Sequence, residues 1–129
     1  MSEKETAETN EIKIDFSKVE GGLVPGIVQD AKTGQVLMVG FLNETSYQKT
    51  LESGFVTFWS RTRQKLWMKG ETSGNRLRII DAATDCDNDT LLFRVEVEGD
   101  GLVCHEGTVS CFTKPIALRA AAAVAGEVR

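Results

Sequence analysis

The sequence predicts one α+β domain, made mainly of antiparallel β-strands with one clear helix. Three observations support this fold class. The chain has 129 residues, which is the size of one domain. Residues 91–98 alternate between apolar and polar side chains, and other short β-branched or aromatic segments recur between turn residues. A single segment carries both a helix start signal and a helix stop signal.

The first two predicted strands form a hairpin. Residues 23–29 are mostly apolar, although Pro25 limits this strand to an interrupted or edge position because proline cannot donate to the ladder. Residues 30–34 have the composition of a turn. Residues 35–42 are apolar enough for a buried second strand.

The predicted helix follows directly. Asn43 is a favourable N-cap, and Glu44 places a carboxylate beside the positive end of the helix dipole. Gly54 stands where helices commonly stop, so the helix is predicted to end near Ser53.

Four further strands are predicted after the helix: residues 55–59, 65–69, 76–82 and 91–98. Residues 70–75 form a glycine-containing loop between the second and third of them. The Gly-Asp-Gly turn at residues 99–101 is expected to close a hairpin between the last strand and the segment that carries Cys104.

The domain is predicted to span residues 21–115. Residues 1–20 are expected to be a flexible N-terminal lead-in, and residues 116–129 an Ala-rich C-terminal tail.

Composition argues against several classes of protein. No apolar run is long enough to span a membrane, and residues 1–11 lack the apolar segment of a signal peptide. The 3 cysteines cannot all pair within one chain, which favours a reducing, cytoplasmic location. A net charge of -4 argues against nucleic acid as a partner.

The three cysteines and the only histidine lie in one short segment, and soft thiolates suit zinc. A turn between Gly107 and Thr108 would place Cys104 opposite Cys111. Cys86 would lie roughly 33 Å from that pair along an extended strand. It therefore joins them only if the chain folds back sharply, or if a second subunit supplies the third thiolate. Free cysteines without a metal are the alternative.

Three protein ligands leave the fourth position of a tetrahedral zinc open, which is the catalytic pattern. His105, next to Cys104, would then be able to move protons as a general acid or base.

Three carboxylates two residues apart, Asp85, Asp87 and Asp89, project to one side of an extended chain and suit magnesium or calcium. An acidic surface turn is one alternative. An EF-hand loop with Glu96 at its last position is another, but that loop needs glycine where this chain has Thr90, and it needs flanking helices.

A basic segment begins in the turn after the predicted strand 55–59, continues through the predicted strand 65–69 and ends in the loop 70–74, and it has the groups that bind a phosphorylated nucleotide. Arginine forks, hydroxyls and exposed backbone amides bind phosphate, and an indole ring can stack on a base. A solvated hairpin is the alternative. The candidate substrate-binding residues are Ser60, Arg61, Arg63, Trp67, Lys69, Glu71, Ser73 and Gly74.

Taken together, these motifs resemble phosphoribosyl-AMP cyclohydrolase of histidine biosynthesis. The resemblance covers roughly residues 23–112 and rests on four motifs in order: Trp59-Ser60-Arg61-Thr62-Arg63, residues 66–75, Asp85-Cys86-Asp87-x-Asp89, and Cys104-His105-x-Gly107 with Ser110-Cys111-Phe112. The residues between Gly107 and Ser110 depart from the family pattern, because Thr108 and Val109 stand where basic residues are common.

The resemblance implies hydrolytic opening of the adenine ring of phosphoribosyl-AMP, between N1 and C6, by a zinc-activated water. It implies an intertwined homodimer with one zinc and one magnesium per subunit. Cys86 of one subunit would bind zinc with Cys104 and Cys111 of the partner subunit. The three aspartates would bind magnesium.

Two other functions remain open. A zinc-dependent purine nucleotide deaminase also attacks C6, although the His-x-Glu and Pro-Cys-x-x-Cys signature of base deaminases is absent. A noncatalytic module, in which zinc only joins two subunits, would carry the same metal motifs.

Overall fold

The computed structural model of the chain describes residues 12–120. Six strands and one helix lie in this range: β1 (Val24–Asp30), β2 (Val36–Leu42), α1 (Glu44–Ser53), β3 (Thr57–Ser60), β4 (Lys65–Met68), β5 (Leu77–Thr84) and β6 (Leu91–Val97). The predicted α+β class with mostly antiparallel pairing is confirmed.

Four strands form the main sheet in the order β2-β1-β6-β5. The two outer pairs are antiparallel, and the central pair, β1 with β6, is parallel. Because β6 joins β1 at the centre, β1 is not an edge strand. Pro25 is tolerated since the parallel ladder begins only at Gly26.

Helix α1 begins and ends where the sequence predicts. The Asn43 side chain accepts a hydrogen bond from the Ser46 N–H at 2.8 Å, and the Ser46 hydroxyl accepts one from the Asn43 N–H at 3.0 Å. Gly54 ends the helix in the left-handed region, at φ 81°. Both ends are therefore fixed by local chemistry.

A buried polar contact joins α1 to the small sheet of β3 and β4. The Thr50 hydroxyl donates to the Ser46 carbonyl at 2.8 Å and accepts from the Thr57 N–H at 2.9 Å. All three residues are buried. The hydroxyl therefore satisfies a backbone group that packing removes from water.

The hydrophobic core lies between the main sheet and the β3–β4 hairpin. Phe58 of β3 packs so closely on β2 that a Cβ atom at Gly40 would lie 2.6 Å from its ring. The largest apolar side chains with almost no exposure are Phe58, Phe93, Leu37, Leu42 and Leu77. Glycine at position 40 is thus required by packing and not by backbone conformation.

The hairpin predicted at residues 99–101 is wrong. Glu96 pairs with Arg78 of β5, not with Cys104, and the described residues after Val97 contain no strand. A strand has two edges, and both edges of β6 are already taken by β1 and β5. The segment 102–112 instead runs as a loop along the end of the main sheet, where the Cys111 N–H donates to the Leu37 carbonyl of β2 at 2.8 Å.

Part of the predicted N-terminal lead-in contacts the domain. Ile14 and Phe16 pack against the core, and the Asp15 N–H donates to the Asn88 carbonyl at 2.7 Å. Residues 1–11 and 121–129 lie outside the described range, and with them most of the predicted tail. Between residues 12 and 120, no helix combines the length and apolarity needed to cross a membrane.

Candidate active site

A tight loop brings two cysteines together. The Gly107 N–H donates to the Cys104 carbonyl at 2.9 Å, and the Cys104 N–H donates to the Thr108 carbonyl at 3.0 Å. Gly107 has φ 85°, a conformation that glycine adopts without strain. The chain turns here, and the Cys104 and Cys111 side chains lie close enough for each to shift the pKa of the other. Two sulfur ligands are thus available at one place.

The two thiols differ in acidity. Hydrogen bonds from the Glu106 N–H and then the Thr108 hydroxyl lower the pKa of Cys104. Burial, and then the neighbouring Cys104 sulfur, raises the pKa of Cys111. Cys104 is therefore the more acidic of the two thiols. A soft cation would displace the thiol protons, because metals bind the deprotonated form.

The third cysteine lies elsewhere in the chain. Cys86 is exposed in the loop between β5 and β6, whereas Cys104 follows the other end of β6. A strand of 7 residues spans roughly 20 Å. Within residues 12–120, the three cysteines do not form a group close enough to share one ion. One chain thus supplies two sulfur ligands at one place and one at another.

The aspartates of the β5–β6 loop do converge. One carboxylate oxygen from each of Asp85, Asp87 and Asp89 lies within 4.8 Å of the others. The Asp85 side chain accepts hydrogen bonds from the Asp89 N–H at 3.0 Å and the Thr90 N–H at 3.2 Å. Asn88 adopts φ 64°, which turns the loop back on itself. The three side chains form what we call the aspartate cluster.

Two carboxyl groups of the aspartate cluster have pKa values shifted in opposite directions. Desolvation favours a higher pKa for Asp85, but the hydrogen bonds from Asp89 and Thr90 outweigh it and lower the pKa to about 2. Desolvation and then the Asp85 carboxylate raise the pKa of Asp89. Close carboxylates resist ionising together unless a cation lies among them.

A cation does lie against this cluster, from a residue that the sequence did not single out. Lys18 Nζ is 3.3 Å from Asp87 Oδ2 and 3.3 Å from Asp89 Oδ2. It also donates to the Asp87 carbonyl at 2.9 Å. Lys18 falls in the predicted lead-in, and nothing local in the sequence indicates that it reaches residues so far along the chain.

The EF-hand alternative does not fit this geometry. Glu96 lies within strand β6 and forms an ion pair with Arg78 of β5, away from the three aspartates. The loop is flanked by strands, where an EF-hand requires helices.

A cavity of about 410 Å³ adjoins Cys104, one member of the cysteine pair. One wall is the loop that carries Cys104 and His105. The opposite wall comes from β4 and the loop after it. The structure thereby brings together seven of the residues predicted for the site: Arg63, Trp67, Lys69, Glu71, Ser73, Cys104 and His105.

Three predicted substrate residues lie outside this cavity. Ser60 lines a neighbouring cavity of about 300 Å³, whose wall also includes Arg63, Trp67 and Glu71. Arg61 instead stacks on Phe41, with its guanidinium carbon 4.5 Å from the ring centroid. Gly74 adopts φ 88° and shapes the loop without lining either cavity.

Asn75 is a residue of the site that sequence reasoning did not assign. It is 9% exposed, donates from Nδ2 to the Leu102 carbonyl at 2.9 Å, and accepts at Oδ1 from the Asp100 N–H at 3.1 Å. These hydrogen bonds join the loop of residues 70–75 to the segment that leads into Cys104. The only signal in the sequence was its place at the end of the Gly-x-x-x-Gly-Asn loop.

Comparison with known proteins identifies the family. The phosphoribosyl-AMP cyclohydrolase family model matches residues 38–113, which include the cavity walls, the aspartate cluster and all three cysteines. The chain belongs to the phosphoribosyl-AMP cyclohydrolase family. The enzyme class predicted from the motifs, hydrolysis of a cyclic amidine, is confirmed, and so is the assignment to histidine biosynthesis.

Relatives in this family are similar over most of the chain. A phosphoribosyl-AMP cyclohydrolase of Solibacter usitatus is 54% identical over 101 residues, which cover 78% of this chain and 79% of the relative. One of Desulfatibacillum aliphaticivorans is 54% identical over 103 residues, covering 80% and 81%. The histidine biosynthesis bifunctional protein HisIE of Campylobacter jejuni is 57% identical over 107 residues, which are 83% of this chain and 50% of that protein.

Proposed function

We propose that this chain opens the adenine ring of phosphoribosyl-AMP by hydrolysis of the bond between N1 and C6. The observation that carries the proposal is the cavity at the cysteine pair. It places the Cys104 sulfur ligand and an exposed histidine on one wall, and a basic, hydroxyl-rich loop with an indole ring on the other. A nucleotide substrate needs both kinds of wall.

The basic wall suits the phosphates and the base. Arg63, Lys69 and Ser73 supply cationic and hydroxyl donors, which bind phosphate oxygens well. Trp67 is 38% exposed, so part of its ring is accessible for stacking on a purine. Lys69 Nζ lies over the same ring, 5.4 Å from its centroid, and adds positive charge there.

His105 is the residue that we propose moves the proton. It is exposed, lines the cavity and follows Cys104 directly. Opening the ring requires a proton to leave the attacking water and another to reach N1, and an imidazole side chain is able to accept one proton and donate another.

The cysteine pair fits one half of a zinc site. The two thiols lie close enough for each to shift the pKa of the other, and a metal bound between them would displace their protons. When bound there, zinc would supply the Lewis acidity that makes water a nucleophile near neutral pH. Cys104 and Cys111 would hold it from one subunit.

We propose that Cys86 of a second subunit completes the zinc site. Cys86 is exposed and lies at the other end of β6 from the pair, so a second chain reaches the pair more simply than the same chain does. Exposed apolar side chains next to Cys111 support an interface here: Val109 at 43%, Phe112 at 64% and Ile116 at 84%. The intertwined homodimer would then bind one zinc per subunit.

The aspartate cluster fits the proposed magnesium. Its three carboxylates converge within 4.8 Å, and a lysine ammonium already lies against two of them. Carboxylate oxygens are the ligands that magnesium prefers in proteins. One ion per subunit would neutralise the cluster.

The test is an assay of the purified protein on phosphoribosyl-AMP, with zinc and magnesium present and then with a zinc chelator added. We expect ring opening without ammonia release, and its loss on chelation. Ammonia release would identify a deaminase instead, and a zinc-loaded dimer without turnover would identify a noncatalytic module. A cytoplasmic location stays a prediction that follows from the free thiols.

The zinc ligands are tested separately. Cys104→Ser should remove both bound zinc and activity, because a hydroxyl is a poor replacement for a thiolate ligand. Metal analysis of the variant measures the first effect. Full retention of zinc would overturn the ligand assignment. Thr113→Ser in the same exposed segment, at a residue outside the cavity, is the control and should keep both.

A further inference from the structure

Lys18 places a permanent positive charge on the aspartate cluster. Its ammonium lies 3.3 Å from one carboxylate oxygen of Asp87 and 3.3 Å from one of Asp89. The same ammonium donates to the Asp87 backbone carbonyl at 2.9 Å. Three contacts from one ammonium use its three donors, so the group is fully engaged there.

The ammonium and a divalent ion need two of the same carboxylates. Asp87 and Asp89 supply two of the three carboxylates that converge within 4.8 Å, and both face Lys18. A magnesium ion binds carboxylate oxygens at about 2.0–2.1 Å. It would therefore lie within a few ångströms of the ammonium, where like charges repel strongly at low dielectric and still measurably near the surface.

We propose that Lys18 is a tethered counter-cation that competes with the divalent ion for Asp87 and Asp89, and so weakens magnesium binding. The proposal rests on the proposed magnesium site and goes beyond it, since it assigns a residue outside the cluster to the control of metal affinity. When the ion binds, the ammonium leaves the two carboxylates. When the ion leaves, the ammonium returns and limits their repulsion.

The lysine can leave without unfolding the segment that carries it. Its side chain is 37% exposed, so water is available to the displaced ammonium. The segment is held by other contacts: the hydrogen bond of the Asp15 N–H to the Asn88 carbonyl at 2.7 Å, and the Phe16 ring, 5.8 Å from the Tyr47 ring. These contacts keep Lys18 beside the cluster, which makes its local concentration high whether or not it is engaged.

The test measures metal affinity directly, by isothermal titration of the zinc-loaded full chain with magnesium chloride at constant ionic strength. Lys18→Met keeps most of the side-chain volume and removes the charge. We expect it to bind magnesium roughly three- to tenfold more tightly, the range that the loss of two partly exposed ion pairs supports. Lys18→Arg should retain the weaker wild-type affinity.

Lys13→Met is the matched control. It removes the same charge from the same segment, and Lys13 is exposed and forms no ion pair with any residue of the described range. Its affinity should stay within about twofold of wild type, because a distant exposed charge is largely screened by salt.

Thermal unfolding gives a second readout. Without a divalent ion, Lys18→Met should melt at a lower temperature than wild type, because three carboxylates are left without their counter-cation. Saturating magnesium should abolish that difference.

The outcomes separate the two proposals. If wild type binds magnesium and Lys18→Met binds it equally or less tightly, the competition is overturned and the magnesium site stands. If neither protein binds magnesium, the site is overturned and the competition with it.

Discussion

The ionisation of Asp85 depends on the fold of its loop. The N–H groups of Asp89 and Thr90 donate to its side chain, and together they lower the pKa of Asp85 to about 2 from the ordinary 3.8. A carboxyl group with a depressed pKa stabilises the folded state above its unfolded pKa. That contribution to stability is lost as the pH falls through the pKa that the group has in the folded state.

Urea unfolding as a function of pH tests this. We expect metal-free wild type to be more stable than Asp85→Asn above about pH 4, and the advantage to shrink as the pH falls towards 2. Asparagine keeps the acceptor for both N–H groups and never ionises, so it isolates the charge. A constant difference across this range would contradict the assignment.

At the scale of one helix, the buried Thr50 hydroxyl joins α1 to β3. It accepts a hydrogen bond from the Thr57 N–H, and Thr57 is buried, so water does not reach that N–H. Thr50→Val keeps the shape and leaves that N–H unpaired, which should lower the free energy of unfolding by about 1–3 kcal/mol. Urea unfolding at neutral pH measures it.

Thr45→Val provides the comparison for this prediction. Thr45 lies on the exposed face of the same helix, so the same substitution should change stability by less than about 0.5 kcal/mol. Equal losses at both positions would mean that helix propensity, and not the buried hydrogen bond, determines the effect.

Elements fixed by local chemistry could be predicted from the sequence, and those fixed by distant partners could not. Asn43 and Gly54 cap α1 through contacts a few residues away, and both ends were predicted correctly. β6 pairs with β1, and no residue near β6 in the sequence indicates this. The segment after the turn at residues 99–101 was therefore wrongly predicted to pair with β6. The role of Lys18 could not be predicted for the same reason, because the residues that it contacts, Asp87 and Asp89, are distant in the sequence.

In the candidate site, too, features that depend on nearby residues could be predicted from the sequence, and features that depend on distant ones could not. The turn at Gly107 predicts that Cys104 and Cys111 meet, and the two side chains do lie close enough for each to shift the pKa of the other. The basic residues that line the cavity could be identified by type. Arg61, which stacks on Phe41, could not be separated from Arg63 without knowing which face of the hairpin each occupies.

At the scale of the whole molecule, the proposed shared zinc predicts that two inactive variants restore each other. Cys86→Ser and Cys104→Ser each damage every site of their own homodimer. A mixed dimer would contain one complete site, made of Cys86 from the second variant with Cys104 and Cys111 from the first. Random mixing of a two-fold dimer should then recover about one quarter of wild-type zinc and activity.

Coexpression followed by metal analysis and assay measures the recovery. Cys104→Ser mixed with Cys111→Ser is the control, because both remove a ligand from the same half of the site and every mixed dimer stays incomplete. Recovery in the control, or none in the test pair, would contradict a zinc shared between subunits.

The parallel pairing of β1 with β6 also has a consequence for the order in which the chain acquires its structure. Gly26 and Leu91 are neighbours in the sheet but lie 65 residues apart in the sequence (91 − 26). Closing so long a loop is slow compared with forming the β1–β2 hairpin. During synthesis from the N-terminus, the hairpin therefore emerges early and exposes one edge of β1 until β6 leaves the ribosome. The newborn chain is most open to mispairing, or to chaperones that bind strand edges, during that interval.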